Sequence, residues 1–295
     1  MSGCMLCPRE CGAVRSVEAG QCGAYSLPRV ARAMLHMWEE PCISGSRGSG
    51  AVFFSGCNLS CVFCQNYDIS QTLFGEEADE DRLANIMFSL KKAGAHNINL
   101  VTPAPHVPVI IKAVKRAREQ GLNIPIVYNT NAYEKVETLR ALEGVVDIYL
   151  PDLKYLTPLV SERYSGAADY FLYASEALKE MWRQCGKLLI DEEGLARRGM
   201  IVRHLVLPGS VDEARRALDF LSENFPLEIA VSLMCQYVPM YKASFPPLNR
   251  KLMKREYDRA VRYCIEKGFT NVFVQQFSSA DSAFTPIFDG NLNGL

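Results

Sequence analysis

From residue 51 onward the chain repeats a two-part pattern. A short, almost wholly apolar run is followed by a longer stretch whose apolar positions recur at three- and four-residue spacing. The runs at 51–54, 98–101, 124–128, 147–150, 201–206 and 229–233 are nearly uniformly apolar, as parallel strands covered on both faces should be. Between them lie three helical stripes: Leu83, Ile86, Met87 and Leu90, then Val107, Ile110, Ile111 and Val114, then Ala214, Ala217, Leu218 and Leu221. Six such strands are too few for a closed eight-stranded barrel. The expected fold is therefore α/β, an open partial (βα)6 barrel, with a doubly wound open sheet as the competing arrangement of the same elements. Either would place a site on the loops at the C-terminal strand ends.

Two segments fall outside this alternation. Residues 251–267 carry Met253, Tyr257, Ala260, Val261 and Cys264 on one helical face and lead through Gly268 into a strand pattern at 271–275, expected to close one side of the barrel. Residues 1–50 have little apolar periodicity and are broken by Pro8, Gly12, Gly20 and Gly23. The chain thus divides into a Cys-rich segment, 1–50, and a barrel unit, 51–295.

Composition narrows the classes of function. At 295 residues, one large domain with a small appendage is the natural size reading. Hydrophobic residues at 48% and charged residues at 22% exclude a disordered or fibrous chain. Lys plus Arg number 32 against 33 for Asp plus Glu, so no basic field is available for a nucleic acid. The start lacks a basic and apolar leader, and no run approaches the ~18 apolar residues of a membrane span, which points to the cytoplasm. Eleven cysteines, odd in number and tightly clustered, argue against a secreted disulfide framework and for metal or iron–sulfur ligation.

The densest chemistry follows the first strand. Cys57, Cys61 and Cys64 form a CxxxCxxC run on one loop. Three thiolates can hold three corners of an iron–sulfur cubane, and the absence of a fourth nearby cysteine leaves one iron open to a non-protein ligand. Zinc normally takes four closed ligands, and three inert thiols would have no reason to share a loop; both remain as alternatives. A second group, Cys4, Cys7, Cys11 and Cys22, has spacing suited to four ligands of zinc or of another iron–sulfur cluster, with Cys42 as a substitute. A head so poor in apolar residues would gain its fold from a metal. Cys185, Cys235 and Cys264 are expected as buried hydrophobes.

The run CNLSCVFC resembles the signature of the radical S-adenosylmethionine (SAM) superfamily. With LCPREC, HMWEEPCISG, FFSGCNLSCVFCQNYDIS and LPDLKY, the chain is similar to the pyruvate formate-lyase activating enzyme-like branch known as PflX-like. The resemblance implies a [4Fe–4S] cluster on Cys57, Cys61 and Cys64 that cleaves SAM reductively. It also implies a flavodoxin- or ferredoxin-type electron donor and a hydrogen donor that is a glycyl-radical protein or a small molecule. Phe63 would pack near the adenine. Where the activating enzymes carry a Gly-Gly-Glu-Pro run, this chain has NLVTPAPH at 99–106, without those glycines and the glutamate, so Thr102 and Asn99 become the substitute SAM contacts. Asn129 and Asn131 match an Asp-Thr-Asn-Gly segment near SAM, with Asn129 replacing the acid. Asp152 and Lys154 match an Asp-Leu-Lys beside the methionine moiety, and Arg203 an Arg-x-x-x-x-Pro-Gly segment at the pocket border. Gln236, Tyr237 and Tyr241 are expected at the mouth, on the substrate side; His204 is expected to be a packing histidine.

Overall fold

A computed structural model describes residues 3–279 and 286–292; the remainder of the proposed 51–295 unit, residues 280–285 and 293–295, lies outside the described residues. In chain order the strands are β1 (Arg29–His36), β2 (Ser49–Phe54), β3 (Glu76–Glu77), β4 (Ile98–Val101), β5 (Ile126–Thr130), β6 (Ile148–Pro151), β7 (Leu189–Ile190), β8 (Ala196–Leu205), β9 (Ala230–Met234) and β10 (Val272–Val274). Across the sheet they run β10–β9–β8–β6–β5–β4–β2–β1–β3, with β7 pairing against β8. From β2 to β10 every neighbouring pair on this path is parallel. Their order never reverses. A doubly wound sheet reverses at a switch point, so that alternative is excluded.

All six expected strands form, with ends shifted by a few residues. The expected tail strand also forms, as β10 on the edge of β9. One strand has no counterpart in the sequence reading. β1 comes from the segment before residue 51 and pairs antiparallel with β2, with Ala33 opposite Val52. Its alternation of half-buried and buried positions is broken by an irregularity between Val30 and Arg32, which hides the period-two signal.

The register sorts each strand into two faces. Val52, Leu100, Tyr128, Tyr149 and Met200 stand in one row and pack under the helices Glu80–Lys92, Val107–Glu119, Tyr170–Cys185 and Val211–Asn224. The three expected stripes are the faces those helices bury, apart from Ile111, which is half-buried. The opposite face holds Val127, Ile148, Leu150, Ile201 and Ala230, closed from below by Cys42 and Ile43 of the short helix Pro41–Ser44. Cys42 is thus a core residue here. Moving along the strands toward their C-terminal ends, this second face turns polar: Asn129, Asp152 and Arg203 follow the apolar layer. The change of character marks where the core stops and a site begins. Among the described residues no helix is long and apolar enough to cross a membrane.

Candidate active site

The C-terminal strand ends surround a cavity of about 250 Å³, and Cys57, Cys61 and Cys64 share its wall. The loop that carries them is held by specific backbone geometry. Gly56 has φ of +89°, and a Cβ there would stand 2.8 Å from the carbonyl of Cys22, so only glycine fits. The Cys57 amide donates to that same carbonyl at 3.0 Å, which ties the loop to the Cys-rich head. Asn131 donates to the Cys57 sulfur at 3.4 Å and to Asn58 Oδ1 at 2.8 Å, while Asn58 donates to the Tyr133 carbonyl at 2.6 Å. Ser165 Oγ lies 3.0 Å from Cys61 Sγ, and Ser70 Oγ lies 3.3 Å from Cys64 Sγ.

As free thiols these groups would be poor nucleophiles. Burial, reinforced by the neighbouring Cys61, pushes Cys57 up to about 12 and Cys64 to about 11. Such thiols become thiolates when a strongly cationic, sulfur-seeking group binds them. Three thiols, Cys61 buried and Cys57 and Cys64 half-buried, with no fourth cysteine on the cavity wall fit an iron–sulfur cluster with one open corner. No three His, Cys, Asp or Glu side chains among the described residues gather as the ligands of a single metal ion would.

Beside the thiols stands a buried charge network. Arg203 on β8 donates from Nε to Asp152 Oδ1 at 2.9 Å, from Nη1 to Glu39 Oε2 at 3.1 Å, and from Nη2 to Asn129 Oδ1. Lys154 Nζ reaches Asp152 Oδ2 at 2.8 Å. Burial opposes ionisation of Asp152, yet Arg203 and Lys154 hold its carboxyl below the ordinary value. Burial also opposes the charge on Arg203 and Lys154, but Asp152 in each case, and Glu39 for Arg203, keep them protonated. Asn129, Asn131, Asp152, Lys154 and Arg203 all line the cavity.

Other expected residues fall into different roles. Thr102 lines the cavity with φ of +60°, its amide bound to the Asn129 carbonyl at 3.0 Å. Asn99 lies deeper, its amide nitrogen 2.8 Å from Glu39 Oε1. Phe63 is buried on the wall, edge-on to Tyr237 with ring centroids 5.8 Å apart. The Tyr237 hydroxyl is already given to the Leu248 carbonyl at 2.6 Å, so Tyr237 offers the cavity a ring face. Gln236 lines the cavity while its Oε1 accepts from Gln275 at 2.7 Å. Tyr241 is exposed and stacks on Tyr67, centroids 5.1 Å apart. His204 is a packing residue, buried with Nδ1 2.7 Å from the Leu153 carbonyl. Cys185, Cys235 and Cys264 are buried.

Glu39 was not anticipated. It precedes the short plug helix and joins Asn99, Asn129 and Arg203. The available signal was the pair Glu39–Glu40 inside an otherwise apolar HMWEEPCISG run.

In the head, burial raises the Cys7 thiol to about 11 and also raises Cys22, with the Arg9 and Ala24 amides opposing the shift. Gly20 sits between the Cys11 and Cys22 sulfurs, which stand 3.5 and 3.4 Å from where a Cβ would be. Arg9 Nε donates to the Asn58 carbonyl at 2.9 Å, joining this cluster again to the active-site loop.

Behind Asn129 and Asn131, Glu134 is buried. Tyr128 OH donates to its Oε2 at 2.8 Å and Thr130 Oγ1 to its Oε1. Burial raises its carboxyl to about 7 in spite of those two bonds. A raised folded value means the folded chain keeps a proton that the unfolded chain has already released. Stability from this group is therefore full below about pH 4.5 and is lost as pH rises through about 7. A 2.5-unit difference corresponds to on the order of 3 kcal/mol. Glu134→Gln is expected to flatten the decline in melting temperature between pH 5 and pH 8 and to exceed wild type at pH 8; parallel profiles would refute the assignment.

With the geometry in place, comparison with known proteins is decisive at the level of class. Residues 51–221 match the model of the radical SAM superfamily. The chain is 34% identical over 273 residues to the uncharacterized protein MJ0674 of Methanocaldococcus jannaschii, covering 88% of this chain and 73% of that one. Among solved structures it is similar to SuiB of Streptococcus suis bound to SAM, with a TM-score of 0.50 and 15% identity, covering 76% of this chain and 49% of SuiB. A domain of a pyruvate-formate lyase-activating enzyme from Bacteroides vulgatus gives a TM-score of 0.46 and 12% identity, over 62% of this chain and all of that domain. The chain belongs to the radical SAM superfamily.

Proposed function

We propose that Cys57, Cys61 and Cys64 ligate a [4Fe–4S] cluster and that the cavity beside them takes SAM, in a partial (βα)6 barrel of the pyruvate formate-lyase activating enzyme-like (PflX-like) branch. The observation that carries this is the cavity wall itself, which holds three thiols, no fourth cysteine, and an ion-pair network next to them. When bound and reduced by a flavodoxin- or ferredoxin-type donor, the cluster supplies the electron that splits SAM into methionine and a 5′-deoxyadenosyl radical, which removes hydrogen from the substrate.

The chain's own residues bind and orient. Lys154, partly neutralised by Asp152, is placed to meet the methionine carboxylate, and Asp152 to balance its charge. Asn129, Asn131 and Thr102 supply neutral donors and acceptors for the ribose and ammonium. Phe63 offers an apolar face to the adenine. Arg203 holds Asp152, Asn129 and Glu39 in place, fixing the floor. Gln236 and Tyr237 border the side from which a hydrogen donor approaches. A glycine of a glycyl-radical protein is the first reading of that donor; a small metabolite or peptide side chain is the second, favoured by an adjoining cavity that shares Trp38, Glu39, Arg203, Met234 and Gln236 with the first. Cys4, Cys7, Cys11 and Cys22 are the candidate ligands of a second metal centre, an iron–sulfur cluster or zinc, a reading supported by the approach of the Cys11 and Cys22 sulfurs to the same side of Gly20.

The test is anaerobic reconstitution with iron and sulfide, then dithionite and SAM, with chromatography of the products. Methionine and 5′-deoxyadenosine in equal amounts are expected. Iron binding without 5′-deoxyadenosine would instead mark a non-catalytic redox-sensing protein.

A further inference from the structure

Each sulfur of Cys57, Cys61 and Cys64 is met by one polar side chain, and the three come from different parts of the chain. Asn131 Nδ2 stands 3.4 Å from Cys57, Ser165 Oγ 3.0 Å from Cys61 and Ser70 Oγ 3.3 Å from Cys64. The Ser165 contact is the shortest and the best shielded, since Ser165 and Cys61 are both buried. A buried hydroxyl is costly unless its hydrogen and its lone pairs find partners.

The fold fixes Ser165 against that sulfur. It is the last residue of the helix Pro158–Ser165, whose closing carbonyls have no partner within the helix. The cysteine loop supplies the missing donors. The Ser60 amide donates to the Ser165 carbonyl at 3.1 Å and the Val62 amide to the Tyr164 carbonyl at 2.9 Å. These two bonds flank Cys61 on both sides. Behind Ser165 lies Tyr155, also buried, its hydroxyl 2.8 Å from Ser165 Oγ and with no other hydrogen-bond partner among the described residues.

The direction of the bonds follows from counting hydrogens. A thiolate that ligates iron carries none, so the bond at Cys61 runs from the Ser165 hydroxyl to the sulfur. Serine has one hydrogen to give, and it is then spent, so Tyr155 donates to Ser165. The result is a relay from Tyr155 through Ser165 to Cys61, each dipole turning its positive end toward the sulfur. Ser70 and the Asn131 amide donate to the other two sulfurs in the same sense. Reduction adds negative charge to a cluster held by thiolates, and donors aimed at the sulfurs stabilise that charge more than they stabilise the oxidised state.

We propose that Ser165, polarised by Tyr155, is a positioning residue that raises the reduction potential of the cluster, with Ser70 and Asn131 adding smaller contributions at Cys64 and Cys57. The inference rests on the reading of the triad as cluster ligands. The step it tunes is the uptake of one electron from the flavodoxin- or ferredoxin-type donor; no proton moves, because both hydroxyls keep their hydrogens.

The experiment is a redox titration of the reconstituted protein followed by electron paramagnetic resonance, using the reduced-cluster signal that is absent from the Cys57, Cys61, Cys64 alanine variant. In Ser165→Ala the ratio of reduced to oxidised cluster at a fixed applied potential is expected to fall about tenfold, which for one electron is about 59 mV. Tyr155→Phe keeps the serine donor but removes its polarising partner, and should lower the ratio about threefold. The double variant should fall no further than Ser165→Ala, because the relay meets the sulfur only through the serine. Potentials unmoved or raised in both single variants, at unchanged iron content, would overturn the proposal. Tyr155→Phe leaves the helix-to-loop bonds in place, so it decides the matter if Ser165→Ala cannot hold iron. A wild type without the signal would overturn the triad assignment and this inference with it, whereas a wild-type signal with unmoved potentials overturns this inference alone.

Discussion

Replacing Cys57, Cys61 and Cys64 together by alanine is expected to remove about four irons per chain and to abolish 5′-deoxyadenosine formation. The loop does not depend on the thiols for its path. The Cys57 amide is held by the Cys22 carbonyl, Gly56 by the Ile69 carbonyl, the Ser60 amide by the Ser165 carbonyl and Val62 by the Tyr164 carbonyl. The variant should therefore fold, and its far-ultraviolet circular dichroism should match wild type. What it loses is the only set of three thiols on the wall of the main cavity. Metal remaining in the variant would point to the centre proposed at Cys4, Cys7, Cys11 and Cys22, residual iron to a second cluster and residual zinc to a structural ion. Full retention of wild-type iron would remove the basis for assigning the triad.

Arg203→Met has the second large effect, and it acts through charge rather than cluster chemistry. Methionine matches the apolar reach of the arginine stem but leaves Asp152 and Glu39 buried beside Asn129 without their guanidinium. Removing one partner of a buried network costs about 3–5 kcal/mol. For a chain of this size that is a fall in melting temperature on the order of 10 °C. SAM affinity should fall as well, since Asp152 is no longer steered and Lys154 becomes its sole cation. Arg203→Lys should recover part of the stability and little of the affinity, because one ammonium cannot reproduce three directed bonds. A melting temperature within a degree or two of wild type would show that the network carries no such weight.

Much of the scaffold was legible because its signals are local. Parallel strands buried on both faces read as continuous apolar runs, and the helices over them as three- and four-residue stripes, so β2, β4, β5, β6, β8 and β9 were visible from residue order alone. β1 was not, since it lies among glycines and cysteines and its pairing with β2 is set by a partner outside its own sequence. At the site, the cysteine loop could be read from spacing, and Asp152, Lys154 and Arg203 from motifs at strand ends. Glu39 could not. It reaches the cavity only because Pro41–Ser44 folds back beneath the sheet, a tertiary event with no periodic trace. Likewise the place of Tyr237 just after the sixth strand suggested a substrate contact, while its hydroxyl is taken by the Leu248 carbonyl, 11 residues on.

Whether one iron of the cluster is open to SAM can be measured directly. The reduced, reconstituted protein should be mixed with SAM carrying 15N in its amino group and examined by electron–nuclear double resonance. A 15N coupling to the cluster that disappears in the Cys57, Cys61, Cys64 alanine variant is the predicted result. A reduced-cluster spectrum that is unchanged by SAM and shows no such coupling would contradict it.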